Sequence, residues 1–222
     1  AMNQVLQNPS GAHYDLLTVG INSKKYLENI GFFGSAYYQT GKNTLAQSKN
    51  AYQFSANVDF LIHSKFNVIL GTEWLSGRNF DTDSGENKSF SPMYGTNHLH
   101  NGFMDYFYFG NSHFNSFGLN DYYLKSNLKF SPNSILQANL HAFTSTGKLG
   151  FDTSGEKIPS YLGTELDLVF THKIGKSITA NLGHSFMFSG KSMEYLKNVP
   201  EPKNLQTWSW IAFRIAPNFK IK

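Results

Sequence analysis

The sequence predicts an all-β fold, an antiparallel transmembrane β-barrel of about nine or ten strands forming a single domain over residues 1–222. Three observations predict it. Residues 51–63 alternate strictly between apolar and polar. The connections between such segments sort into short turns and long loops that take turns along the chain. Phe and Tyr also stand where a water-soluble domain would carry charge.

Composition sets the bounds. The chain has 222 residues, 40% hydrophobic, 16% aromatic and 15% charged. Soluble domains carry about 25% charged residues. No apolar run is long enough for a membrane-spanning helix, which needs about 20 residues. Few charges and many aromatics suit a barrel whose strands face lipid and water alternately, although composition alone fits a soluble β-sandwich as well. Cysteine is absent, so disulfides, zinc-thiolate sites and cysteine nucleophiles are excluded. The formal charge of +4 comes from scattered lysines, so no nucleic-acid partner is expected.

Taken in order, Ala1 to Gln7 reads as the tail of a strand, ended by the turn chemistry of Asn8-Pro9-Ser10-Gly11. His13 to Asn22 is a strand, Ser23 to Asn29 a polar turn, Ile30 to Thr40 a strand, and Gly41 to Asn50 a loop. From Ala51 to His63, Tyr52, Phe54, Ala56, Val58, Phe60 and Ile62 share one face, opposite Gln53, Ser55, Asn57, Asp59 and His63. Period two over that length gives a strand of the roughly ten residues that cross a bilayer. After Ser64-Lys65, Phe66 to Ser76 returns with Phe66, Val68, Leu70 and Trp74 opposite Asn67, Gly71 and Glu73.

Residues 77–117 form a long ordered loop, whose stretch 91–111 is too rich in Gly, Asn and His for a strand and too aromatic for a flexible linker. Strands resume over Leu119 to Phe130, Ser134 to Ser145, Tyr161 to His172, Ser177 to Phe188 and Leu205 to Ala216, with loops over 146–159 and 189–204. Short turns at one end and long loops at the other mark outer-membrane barrels. By strand parity Ala1 to Gln7 is a truncated strand, and a barrel closing on it would expose unpaired backbone to lipid. The chain is therefore expected to be the C-terminal part of a larger barrel.

One stretch carries a family resemblance. Tyr94-Gly95-Thr96-Asn97-His98, then Asn101-Gly102-Phe103-Met104-Asp105, a Phe/Tyr run ending in Gly110-Asn111, and Gly118-Leu119-Asn120-Asp121-Tyr122 opening a strand together resemble the long loop of the alginate-export family of outer-membrane β-barrels, in its Bacteroidetes-type versions. The resemblance implies location in a bacterial outer membrane, a closed barrel of about eighteen strands of which this chain is roughly the last half, and a conduit for solute or polysaccharide.

Charged side chains avoid lipid because they cost about 2–4 kcal/mol near the midplane, so the expected pore-lining set is Asp59, Glu73, Lys125, Lys129, Glu165, Asp167 and Arg214, with His63 and His141 beside them. That lumen is mixed in charge, whereas the alginate exporter of the family has a strongly basic pore, so alginate itself is not implied. Within the long loop, Tyr94, Asn97, His98, His100, Asp105, Tyr106 and Asn111 are the expected constriction residues, and Phe103, Tyr106, Phe107, Tyr108 and Phe109 its packing core or a sugar-stacking platform. Tyr52, Trp74, Tyr161 and Trp208 read as interfacial girdle residues.

His98, His100, His113 and Asp105 match no standard ligand spacing, so neither a metal nor a cofactor is expected. Asp81, Asp83, His98, His100 and Asp105 are the residues an outer-rim hydrolase would use, but no nucleophile elbow or Ser/His/Asp order accompanies them, and an enzyme is not expected. The expected role is a porin-like channel for passive passage or export of hydrophilic solutes or polysaccharide. Its partners are outer-membrane lipid and the solute. The alternative is a structural barrel subunit docked to other outer-membrane proteins, with a soluble β-barrel binder as the remaining class.

Overall fold

The computed structural model describes residues 1–83, 85–92, 101–107, 116–199 and 203–217. Ten strands lie side by side in chain order in one sheet. They are β1 (Met2–Gln7), β2 (His13–Leu27), β3 (Ile30–Lys42), β4 (Ser48–His63), β5 (Phe66–Leu75), then β7 (Leu119–Ser131), β8 (Ser134–Thr144), β9 (Tyr161–Ile174), β10 (Ile178–Ser189) and β11 (Leu205–Ile215). The two-residue β6 (Glu86–Asn87) lies in the long loop and pairs in parallel with the start of β4. Every pairing between the ten is antiparallel. Among the described residues β1 pairs only with β2 and β11 only with β10, so both edges of the sheet are open.

The connections sort by end. At one end they are residues 28–29, 64–65, 132–133 and 175–177; at the other they are 8–12, 43–47, 76–118, 145–160 and 190–204. Tight turns suffice where strands simply reverse. At the opposite end the longer segments fold back over the sheet and build its apolar core.

Three expectations need correction. Ser23 to Asn29 is not a turn: β2 runs on to Leu27, with the Lys24 ammonium 4.7 Å from the ring centre of Tyr26 and 5.1 Å from that of Phe33. Those contacts let a polar run stay extended. The segment 41–50 is strand at both ends, the turn shrinking to 43–47, where Asn43 Oδ1 accepts from the N–H groups of Leu45 and Gln47 at 3.0 and 3.1 Å. The loop 189–204 also holds a short helix, α1 (Ser192–Lys197), closed by Asn198 in the left-handed region at φ 52°.

Burial across the sheet is the reverse of a water-soluble core. On one face Phe32, Val58, Leu70, Leu124, Leu140, Leu166 and Phe186 are successive cross-strand partners in an unbroken apolar row from β3 to β10. Its members are exposed or half-buried. On the other face Gln39, Gln53, Asp121, Asn139, His141, Glu165, Asp167 and Ser185 are buried. Residues i and i+2 share a face, so the alternation of β4 sends Tyr52 and Phe54 out and Gln53 in.

The hydrophobic cluster sits at the long-loop end of the polar face. Leu75, Leu119, Phe143, Leu162 and Met187 come from strand ends, while Phe90, Phe107, Phe117, Leu149, Ile158 and Met193 come from the loops and α1. The loops interlock by backbone bonds from Arg78 N–H to Ser116 O, Phe80 N–H to Lys148 O and Gly147 N–H to Phe117 O, at 2.7 to 2.9 Å. The Arg78 guanidinium lies 4.0 Å from the Phe117 ring centre.

Candidate functional site: the polar face and the segments folded onto it

Register decides which side chains meet on the polar face. One row runs Ser55, Glu73, Asp121 and Phe143. The next runs Asn57, Gly71, Tyr123, His141, Glu165 and Met187. The third runs Asp59, Ile69, Lys125, Asn139, Asp167, Ser185 and Trp208. Glu73, Lys125, Glu165 and Asp167 of the expected set are thereby brought together, joined by His141 and by Asp121.

The cluster is hydrogen-bonded within itself. His141 Nδ1 lies 2.9 Å from both carboxylate oxygens of Asp121 and donates to them. Gln53 Nε2 donates to Glu73 Oε1 at 3.1 Å, Asn57 Nδ2 to Tyr123 Oη at 3.2 Å, and Ser185 Oγ to Asp167 Oδ1 at 2.5 Å. The Lys125 ammonium lies 4.6 Å from the centre of the Tyr123 ring. Each of these charged groups thus meets at least one partner or an aromatic face.

The remaining expected residues stand apart. Asp59 shares the face and accepts from Asn67 Nδ2 at 2.9 Å. Lys129 and Arg214 lie near the short-turn end and are exposed. His63 does not join the polar row: an irregularity between Leu61 and His63 sets it opposite Phe66, and its Nδ1 accepts from the Lys65 N–H at 3.3 Å.

Trp208 is not a girdle residue. It pairs with Ser185 on the polar face, as its neighbour Trp210 pairs with Gly183. Tyr52, Trp74 and Tyr161 are exposed.

Two stretches of the long loop pack on this face. Residues 101–107 are tied down by Met104 N–H donating to Glu165 Oε1 at 2.9 Å, Phe103 set edge-on to Trp210 with centroids 6.4 Å apart, and Phe107 against Phe143 at 4.5 Å. Tyr106 Oη donates to Gln206 Oε1, and Lys197 Nζ donates to Tyr106 O. Burial, with the Glu165 charge adding to it, raises the Tyr106 phenol above its ordinary pKa; burial lowers that of Lys197. Asn101 and Asp105 adopt positive φ of 60° and 56°. Gly102 sits at φ 84°, where a side chain would be strained, and a Cβ there would also stand 2.6 Å from the Glu165 carboxylate and displace it.

Segment 86–91 is held by the other half of the sheet. Gln39 and Ser91 exchange two bonds of 2.9 Å, as paired strands do. The buried Lys49 ammonium donates to Asn87 Oδ1 at 3.0 Å, to Ser91 Oγ at 3.2 Å and to Ser89 O. Between the two held segments lies a cavity of about 710 Å³, lined by hydroxyls, amides and rings such as Ser35, Ser55, Asn57, Tyr37 and Tyr123, with Glu73, Asp121 and Lys125 at one side.

Of the expected constriction residues, Asp105 and Tyr106 belong to the held segment, whereas Tyr94, Asn97, His98, His100 and Asn111 lie outside the described residues. His113, Tyr108 and Phe109 do so too. Among the described residues no three His, Asp or Glu side chains group as a metal site. The chain matches no protein-family model and no curated protein.

Proposed function

We propose that this chain is wall of an outer-membrane β-barrel that passes hydrophilic solutes or polysaccharide, with its apolar face in lipid and its polar face on a water-filled passage. The observation that carries the reading is the inverted burial. An apolar row crosses the sheet from Phe32 to Phe186 without cover, while Glu165 and Asp167 on the opposite face are 0% exposed. Soluble monomers rarely expose apolar patches beyond a few hundred Å². In lipid the same face needs no cover.

The open edges at β1 and β11 support completion of the wall by further strands, because unpaired backbone in hydrocarbon costs several kcal/mol per group. Residues 86–91 and 101–107 narrow the passage and set what fits. The mixed charges of the polar face suit solutes without a strong negative charge better than a polyanion.

The open edges also favour a second reading, in which the chain is a structural barrel subunit and the loops folded onto its polar face close the passage. Planar-bilayer conductance of the protein extracted from its membrane separates the two. A conduit gives discrete openings that enlarge when residues 101–107 are deleted; a closed structural subunit gives none in either form.

A further inference from the structure

On the polar face of β9, Glu165 and Asp167 stand side by side, two residues apart, both 0% exposed. Each carboxylate is anchored through one oxygen, Glu165 Oε1 by the Met104 N–H and Asp167 Oδ1 by the Ser185 hydroxyl. The two carboxyls lie within hydrogen-bond reach of each other, and the second oxygens, Oε2 and Oδ2, are buried with no donor from any other described residue. Asn139 on β8 is the direct cross-strand partner of Asp167, is 2% exposed, and holds its own Oδ1 buried without a donor.

Three neighbouring positions thus present unpaired acceptor oxygens. A buried acceptor without a donor costs about 1–3 kcal/mol, more when charged. Among the described residues no cation bonds the two free oxygens: Lys125 lies over the Tyr123 ring and acts on Asp167 only through space, shared with Asp121 and Glu73, and His141 Nδ1 donates to Asp121. Acidic groups outnumber basic ones here, with Glu73 directly opposite Asp121 in the adjoining row.

We propose that Glu165 Oε2, Asp167 Oδ2 and Asn139 Oδ1 form a binding site for a divalent cation of the calcium type. The donor set is all oxygen, two carboxylates and one amide carbonyl, which is the chemistry of a hard cation that completes its shell with water. Because Glu165 also holds the backbone of residues 101–107, the cation fixes that segment to the sheet. The site stands on side-chain placement alone and does not depend on the channel reading.

The test is calcium titration of the purified, chelator-stripped protein in detergent, followed by calorimetry and by tryptophan emission, since Trp208 pairs with the Ser185 that bonds Asp167. The site predicts saturable binding of one calcium per chain. Binding is weakened by about tenfold or more in Asp167→Asn and in Asn139→Leu, a loss of about 1.4 kcal/mol or more, and unchanged in Asp152→Asn at an exposed turn. Asn139→Leu keeps the strand and removes only the amide, so it decides the question if Asp167→Asn fails to fold by circular dichroism. Absence of saturable binding to folded wild type, or equal binding by folded Asn139→Leu, overturns the proposal.

Discussion

The phenol ring of Tyr123 lies across Gly71, its cross-strand partner on the polar face, so closely that a Cβ on Gly71 would overlap the ring and stand 2.6 Å from Asn57 Cβ. Gly20 with Tyr37 and Gly183 with Trp210 repeat the arrangement. An aromatic ring covering a cross-strand glycine pins register and shields backbone where the sheet has no second layer. Gly71→Ala pushes the ring off its seat and breaks the Asn57 to Tyr123 bond. The expected loss is about 1–3 kcal/mol, read by urea unfolding in detergent.

Removing the Glu165 carboxylate frees the backbone of 101–107. Glu165→Ala leaves the Met104 N–H without its acceptor, a loss of about 1–3 kcal/mol for a buried donor. Amide exchange at Met104 should accelerate by at least about tenfold while exchange in β2 and β3 stays unchanged.

Lys49 tests the other anchor. Lys49→Met keeps the aliphatic stem and deletes the donor to Asn87, Ser89 and Ser91. Three acceptors lose their partner, so stability falls by about 1–3 kcal/mol and protease cleavage within 86–91 rises.

Asp152 gives a pH-dependent prediction in a loop outside the sheet. The Ser154 hydroxyl donates to its Oδ1 at 2.7 Å, and the N–H groups of Ser154 and Glu156 at 2.9 Å. The Ser154 side-chain bond first, then the backbone bonds, hold the carboxyl below the usual aspartate range. A depressed carboxyl stabilises the turn above its unfolded value and loses that support as pH falls through the folded one. Amide shifts of Ser154 and Glu156 should titrate together below the ordinary aspartate range and stay flat in Asp152→Asn.

Charge placed on the apolar face should block folding into bilayers. Leu140→Arg, mid-sheet between Leu124 and Leu166, is expected to cost about 2–4 kcal/mol of folding into lipid vesicles, and Asn57→Arg on the polar face much less. In a water-soluble sheet the order would reverse, since Leu140 is exposed and Asn57 is half-buried.

The strands were legible because period two is written in single residues: Tyr52 to Ile62 announces both faces of β4 without its neighbours. Other features needed the register. β11 is apolar on both faces, with Trp208 and Trp210 on one and Ile211, Phe213 and Ile215 on the other, so pattern alone misplaced Trp208. Arg214 shares the face of both tryptophans and was the available signal. Asp121 was missed as a polar-face residue although it shares parity with Lys125. His63 was misassigned because an irregularity near a hairpin end leaves no trace in composition. The gathering of Glu73, Asp121, His141, Glu165 and Asp167 depends on three strand pairings across four strands, which no single strand encodes.

The central claim is that the apolar face meets lipid and the polar face meets water. The chain contains no cysteine, so single cysteines can be introduced one at a time along β4 at positions 52 to 60, each carrying an environment-sensitive fluorophore, in vesicles holding the folded protein. The account predicts that a lipid-borne quencher acts on labels at Tyr52, Phe54, Ala56, Val58 and Phe60, and an aqueous quencher on those at Gln53, Ser55, Asn57 and Asp59. Aqueous quenching of the first set, with no alternation in the lipid-borne signal, would contradict it.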